Sequence, residues 1–405
     1  MKVLQINAVY GFKSTGEIVK DIGNALKVSG GTPYFAYQSC KQKPENGYQV
    51  GNKFDWKWHA LYTRIFGKQA YASKVATKKL LRWIDENSPD VVHLHNLHSN
   101  YINLNMLLNY LAKKDVATVI SLHDCWYFTG KCFHFIDVGC EGFTKGCGGC
   151  PKKKESPRSL FCDTSHAVLK DKQKYLSKIP RLSIVASSKW VGGEAQKGIF
   201  KNFDMPLIYN GVNVDIFKPN DKNVLKEKYG EDCYFVLGMA NKWLLPENKQ
   251  VLEEVVKLLN DKFKLVLIGC TDSQIKDLQE KTSNIIPVGF IKDRKELAYY
   301  YSSANVFVNV THADTLPTVN MESICCGTPV ITYDSCGSPE LVLDGCGKIV
   351  RENDIEGIID LIKSKPGKID NESLLSARQK YDSNECYKKY LQVYSNLVKQ
   401  KDIKC

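Results

Sequence analysis

The feature that most narrows the fold is a twofold alternation of short β-rich runs with longer amphipathic segments. In the first half KVLQIN (2–7), TPYFAY (32–37), DVVHLH (90–95), ATVISLH (117–123) and LSIVAS (182–187) read as buried strands, with helical stretches at 15–29, 71–87 and 102–113. In the second half YFVLGMA (234–240), KLVLIG (264–269), NIIPVG (284–289), NVFVNV (305–310), TPVITY (328–333) and GKIV (347–350) repeat the pattern. Helices are expected there near 246–260, 272–282, 293–303, 317–326 and 353–364. Continuous apolar strands separated by helices imply parallel sheets covered on both faces. With 405 residues, against a prior of roughly 100–200 per domain, the expectation is an α/β chain of two doubly wound, Rossmann-like domains facing across a cleft. YNGVNVDIFKP (209–219), with its Asn-Gly turn and Pro219, marks the joint. The domains are expected at 1–208 and 209–383, with a C-terminal helix, 384–405, packing back across the joint.

Charge divides the chain unevenly. Residues 1–200 carry 29 Lys and Arg against 15 Asp and Glu, a net +14, and the remainder nets −2 of the overall +12. A basic first half suits a polyanion or an anionic membrane surface; a solvated lysine-rich face is the plainer alternative. The opening MKVLQINAVYGF breaks its apolar run at Gln5 and Asn7, and no stretch of about 18 apolar residues follows. The expected location is cytoplasmic, with peripheral contact at the inner membrane face.

The chemistry concentrates in THADTLPTVNMESICCGTPVITYD (311–334). Asp314 falls in the loop leaving a strand, and Glu322 inside the helix that follows. Gly327 suits the left-handed residue that ends a helix, and the backbone amides of Thr318 to Asn320 are placed to bind a phosphate. Open α/β sheets bind ligands at this strand-end position.

The acid, seven residues, acid pattern before CGTPV, with NGVNVDIFKP and STGEIVKDIGNAL, resembles the retaining glycosyltransferases of GT-B fold, the family 4-like group. The likeness runs over nearly the whole chain. LHDCWYFTGKC followed by GCGGCP is most similar to the bacterial exopolysaccharide and lipopolysaccharide subgroup. The resemblance implies that Asp314 contacts the transferred sugar and that Glu322 holds the ribose hydroxyls, with Leu316, Pro317 and Thr318 completing the donor-binding set. Asp314 departs from the family, which usually has Glu there, and its carboxylate is one methylene shorter. The family's Arg and Lys pair for the diphosphate is replaced in MANKWLLPENKQ by Lys249, the favoured residue, and Lys242, the second candidate. The resemblance further brings Gly11 and Gly16 close to the donor phosphates or acceptor, with Ser14 and Thr15 capping the helix, and makes His123 the histidine that contacts the donor sugar. Asp124 beside it is expected to orient the acceptor or the imidazole. His93 and His95 offer no complete metal-ligand set, and His95 reads as a core histidine.

Fifteen cysteines include Cys132, Cys140, Cys147 and Cys150 in a C-x7-C-x6-C-x2-C array. The array leaves open a structural Zn²⁺ ordering a loop with little apolar content, or simply free thiols. No catalytic metal and no further cofactor are expected. The function implied is transfer of a sugar, with retention, from a nucleoside diphosphate donor to a glycan or lipid-diphosphate-linked acceptor in bacterial surface polysaccharide synthesis. A nucleotide-sugar epimerase is the alternative on the same fold. A basic nucleic-acid-binding protein is the alternative of another class, and the scattered lysines argue against a nucleic acid partner.

Overall fold

The computed structural model describes residues 1–155 and 157–402. Position 156 and positions 403–405, the end of the expected C-terminal helix, lie outside the described residues. Contacts divide the chain into Met1–Asn210 together with the chain from Cys386 onward, and Gly211–Glu385.

The first unit is built on a six-stranded parallel sheet of β1 (Lys2–Tyr10), β2 (Thr32–Cys40), β3 (Gly47–Gln49), β4 (Val91–Leu94), β5 (Ala117–Leu122) and β6 (Leu182–Ala186), in the order β3-β2-β1-β4-β5-β6. Leu4, Ile6, Val92, Leu94, Ile120 and Leu122 are buried on one side of this sheet. On the other side Val3, Val91, Val119 and Val185 join Tyr387, Tyr390 and Tyr394 of the last helix, Ser383–Asp402. Each aliphatic side chain taken fully out of water contributes about 1.5–3 kcal/mol, so two apolar faces per strand are what holds a parallel sheet together.

The second unit repeats the plan with β7 (Tyr234–Met239), β8 (Phe263–Ile268), β9 (Ile285–Val288), β10 (Val306–Asn309), β11 (Val330–Tyr333) and β12 (Gly347–Val350), in the order β12-β11-β10-β7-β8-β9. Both orders are those of the dinucleotide-binding doubly wound fold, and the chain reverses direction across each sheet between β1 and β4 and between β7 and β10. Every strand anticipated from periodicity is present. The edge strand β3 was not anticipated, being three residues long and half exposed.

One close approach fixes the second core. The Trp243 indole lies fully buried against β7 and donates from Nε1 to the Val308 carbonyl at 2.9 Å. A Cβ at Gly238 would sit 2.1 Å from that nitrogen, so only glycine lets the indole reach across the strand.

Candidate active site

In the second unit the chain leaves β10, crosses residues 310–317 and enters the helix Thr318–Cys325, which closes at Gly327 with φ of +80°. Pro317 occupies the N-cap and supplies no side-chain acceptor, and the first turn holds no acid. Only the Asn320 amide is engaged in this turn, with the Pro317 carbonyl at 3.0 Å, leaving the Thr318 and Val319 amides at the positive end of the helix. Around this end three buried polar atoms lack hydrogen-bond partners among the described residues: Thr315 Oγ1, Asn320 Nδ2 and Ser338 Oγ. Such groups cost free energy when dry, and their gathering at a helix N-terminus makes this a candidate ligand site. The Ser338 loop is held there by contact so close that a Cβ at Gly337 would lie 1.9 Å from the Thr315 carbonyl oxygen. Gly337 N–H also donates to the Asp314 carbonyl at 3.1 Å.

The Asp314 side chain is partly exposed and accepts from the Leu316 amide at 3.1 Å through Oδ1. That is the loop-capping contact of an Asx turn, and it also fixes where Oδ2 lies. Glu322 keeps some accessible surface yet is densely surrounded. Loss of hydration pushes its carboxyl up to about 7, against the Arg294 charge and the Tyr301 hydroxyl, which donates to Oε2 at 3.2 Å.

The two lysines differ in setting. Lys249, at the start of its helix, is 78% exposed and pairs with Glu253 at 3.6 Å. Lys242 is half-buried in the helical turn Ala240–Trp243 directly after β7, and its carbonyl is bound by the buried Asn248 amide at 3.0 Å. Asn248 also donates to Val310 and meets His312 Nε2 at 2.9 Å, while His312 Nδ1 meets Glu352 at 2.6 Å. Sequence reasoning passed over Asn248, His312, Gly337 and Ser338. The glycine and serine of SCGSPE, following the last residue of a strand, were the available signal.

In the first unit Gly11 (φ +68°) donates to the Gly16 carbonyl at 3.0 Å between β1 and the helix Lys13–Val28. A Cβ at Gly16 would lie 3.1 Å from Val9 Cγ2, so this glycine lets the helix crowd the strand. Ser14 and Thr15 do not cap that helix: Phe12 holds the N-cap with no side-chain bond, because the turn places both hydroxyls inside the helix. Thr15 Oγ1 instead receives Asn7 Nδ2 at 3.4 Å.

The histidines at the ends of β4 and β5 form a chain whose tautomers follow from its far end. Gln5 Nε2 donates to the Val19 carbonyl at 2.9 Å, which turns Gln5 Oε1 toward His95 Nε2 at 3.1 Å. A neutral His95 that donates from Nε2 presents a bare Nδ1, so His123 Nε2–H donates to it across 2.9 Å. His123 Nδ1 is then an acceptor, and it is buried without a partner among the described residues. Burial lowers the His123 pKa to about 4, outweighing the nearby Asp124 charge, so the ring is neutral at physiological pH. Asp124 does not orient His123. It accepts from His98 Nε2 at 2.8 Å through Oδ2 and from the Trp126 amide at 2.8 Å through Oδ1, so each of its oxygens is engaged elsewhere. Burial would raise the Asp124 carboxyl, but the His98 charge, the His98 hydrogen bond and the Trp126 amide hold it below the ordinary value. His95 is a core histidine with both nitrogens bonded.

The cysteine loop is not poor in apolar contacts. Phe128, Phe135 and Phe143 are buried in mutual ring contact, and the buried Lys172 ammonium donates to the Trp126 and Thr129 carbonyls beneath it. Cys132, Cys140, Cys147 and Cys150 form no disulfide. Among the described residues no group of three or more His, Cys, Asp or Glu is arranged to hold a metal ion, so the zinc reading of the spacing is not carried further.

Residues 222–365 match the model of the family described as "Glycosyl transferases group 1". WcaC of Escherichia coli (strain K12), assigned by name to glycosyl transfer in colanic acid biosynthesis, is 25% identical over 348 residues, 82% of each chain. Among solved structures, sucrose-phosphate synthase from Thermosynechococcus elongatus superposes with a TM-score of 0.69 at 14% identity, over 98% of this chain and 99% of that one. Anabaena HepE in complex with UDP superposes with a TM-score of 0.64 at 14% identity, over 98% and 100%. These two structural likenesses speak for the two-domain fold.

Proposed function

We infer that this chain, a glycosyltransferase whose residues 222–365 form a group 1 glycosyl transferase domain, moves a sugar from a nucleoside diphosphate donor to a glycan or lipid-diphosphate-linked acceptor, with retention of anomeric configuration. The setting is bacterial surface polysaccharide synthesis, in keeping with the colanic acid assignment of WcaC, and the basic first half of the chain suits action at the cytoplasmic face of the membrane. The observation that carries this reading is the uncapped N-terminus of Thr318–Cys325 with three unpartnered buried polar groups around it and a carboxyl, Glu322, one turn further in. Together these suit a diphosphate lying on the amides and a ribose at the carboxylate.

In the reaction the anomeric carbon loses its bond to the diphosphate and gains one to the acceptor oxygen on the same face. The acceptor proton passes to the departing phosphate oxygen, so stabilising charge on the leaving group matters more than a general base. The Thr318 and Val319 amides and Lys242 or Lys249 supply that stabilisation. Asp314, steadied by the Leu316 amide, takes a hydroxyl of the transferred sugar. In the first unit the bare His123 Nδ1 is an acceptor for a substrate hydroxyl. Gly11 and Gly16 leave room for a phosphate or acceptor at the end of β1. No metal is required by this scheme, and no nucleic acid partner enters it.

The test is a panel of nucleotide sugars, uridine diphosphate sugars first because HepE was solved with UDP, screened for thermal stabilisation. A donor bound only by the folded site raises the melting temperature by mass action. Asp314→Ala is expected to retain this stabilisation and lose transfer. No stabilisation by any nucleotide sugar refutes the reading.

A further inference from the structure

The helix Lys53–Phe66 carries large apolar side chains on both sides: Trp56 packs against the core, with Tyr62 and Ile65 partly buried, while others face solvent. Its buried side chains are His59 and Thr63, whereas Phe54 (78%), Trp58 (58%) and Leu61 (48%) are exposed. At about 100° of rotation per residue, Phe54, Trp58 and Leu61 fall in one outward stripe, and Lys53, Lys57 and Arg64 lie together along one flank of it. The register is pinned at both ends. Asn52 accepts from the Phe54 and Asp55 amides, Asp55 returns the bond to the Asn52 amide, and Gly67 closes the helix with φ of 67°.

Inside, His59 Nδ1 meets Ser73 Oγ at 2.7 Å and Thr63 Oγ1 donates to Asn100 at 2.9 Å. Burial drives the His59 pKa down to about 4. A contiguous outward stripe of large apolar side chains left in water, beside a face that already has its own core contacts, is the kind of patch that marks an interaction surface.

A second segment extends the stripe. The Leu160 amide donates to the Arg64 carbonyl at 2.8 Å and Thr164 Oγ1 to the Phe66 carbonyl at 3.3 Å, which sets exposed Leu160 and Phe161 beside the helix end. Arg158 and Lys154, both exposed, come with them. The one acid of the helix, Asp55, is engaged in the capping box. Of the acids beside Leu160 and Phe161, Glu155 pairs with Lys152 and Asp163 accepts from the Cys150 and Ser165 amides, so Lys53, Lys57, Arg64, Lys154 and Arg158 set the charge around the stripe. Aromatic and aliphatic residues bordered by lysine and arginine on a helix too short to span suit the headgroup region of an anionic bilayer. No described helix is long and apolar enough to cross a membrane.

We propose that Lys53–Phe66, with Leu160 and Phe161, is a docking surface for an anionic phospholipid bilayer, lying in its interface with Phe54, Trp58 and Leu61 inserted. It deepens the reading of a lipid-borne acceptor and rests on that reading only for its purpose; the surface itself stands on the geometry of the helix.

The full chain is sedimented with vesicles of phosphatidylcholine containing about one-third phosphatidylglycerol, and with phosphatidylcholine alone. Wild type is expected to bind the anionic vesicles with a blue shift in tryptophan emission. The triple variant Phe54→Ser, Trp58→Ser, Leu61→Ser loses at least about tenfold in partitioning. Phe161→Ser, outside the helix, is a second variant that weakens binding without touching the helix fold. Thermal stabilisation by a nucleotide sugar is unchanged in both, which separates this proposal from that of donor binding. Absence of vesicle binding by wild type, or equal binding by both variants, overturns the proposal. So does a concentration-dependent dimer that the triple variant abolishes without any lipid binding, since the occupant is then a second copy of the chain.

Discussion

Replacing Glu322 by glutamine should make the protein more stable in alkaline buffer and useless to its donor at once. The wild-type carboxyl titrates near 7 in place of the ordinary 4.5 because burial strips its hydration. At about 1.4 kcal/mol per pH unit, holding it ionised in the fold costs on the order of 3 kcal/mol. The sign follows from proton counting. Between these two values the folded chain keeps a proton that the unfolded chain has released, so stability falls as pH rises through the window. Below about 4.5 both states are protonated and the cost is absent; above about 7 it is present in full. Glutamine keeps the size and an acceptor for Tyr301 but cannot ionise. The variant is therefore expected to match wild type near pH 4.5 and to exceed it by up to about 3 kcal/mol near pH 8. Urea unfolding of both proteins across this range measures the difference, and titrations common to both cancel in it. A difference that stays flat with pH, or that grows toward acid, refutes the argument. In the same samples the nucleotide-sugar stabilisation seen for wild type should be lost in the variant.

Lys242→Ala should weaken donor binding by about tenfold and Lys249→Ala by less, because the second ammonium is exposed and paired with Glu253; titration calorimetry with the nucleotide sugar compares them. Gly337→Ala should reduce donor affinity at least as much as Lys242→Ala. Its Cβ would lie 1.9 Å from the Thr315 carbonyl oxygen and must push Ser338 off the helix end, and the melting temperature without donor should fall as well. Gln5→Leu removes the acceptor that sets the His95 tautomer. Nitrogen chemical shifts of His123 should then report a mixture of tautomers, with transfer slowed about tenfold at unchanged nucleotide binding.

The strands were legible because a strand buried on both faces has to be apolar along its length, and runs such as LVLI in β8 leave no other reading. Strand ends then located the candidate site, since His123 follows β5 and residues 311–317 follow β10. The helix Lys53–Phe66 was not anticipated because its apolar side chains fall on both sides, Phe54, Trp58 and Leu61 outward and Trp56 against the core, so no single buried stripe stands out in the sequence. Asp124 illustrates the same limit on a smaller scale: adjacency to His123 suggested a partnership, and β5 ends with the two side chains directed to different neighbours, His95 and His98.

By itself, then, the sequence determined the two parallel sheets, the acid pair and the helix between β10 and β11, because these depend on local apolar periodicity and on glycine or proline at fixed offsets. Tertiary structure alone decided which histidine nitrogen is bare, which buried hydroxyls lack partners and which face of Lys53–Phe66 meets solvent. Each of those depends on groups far apart in the chain, Gln5 with His95 or Thr315 with Gly337, whose separation leaves no trace in local periodicity.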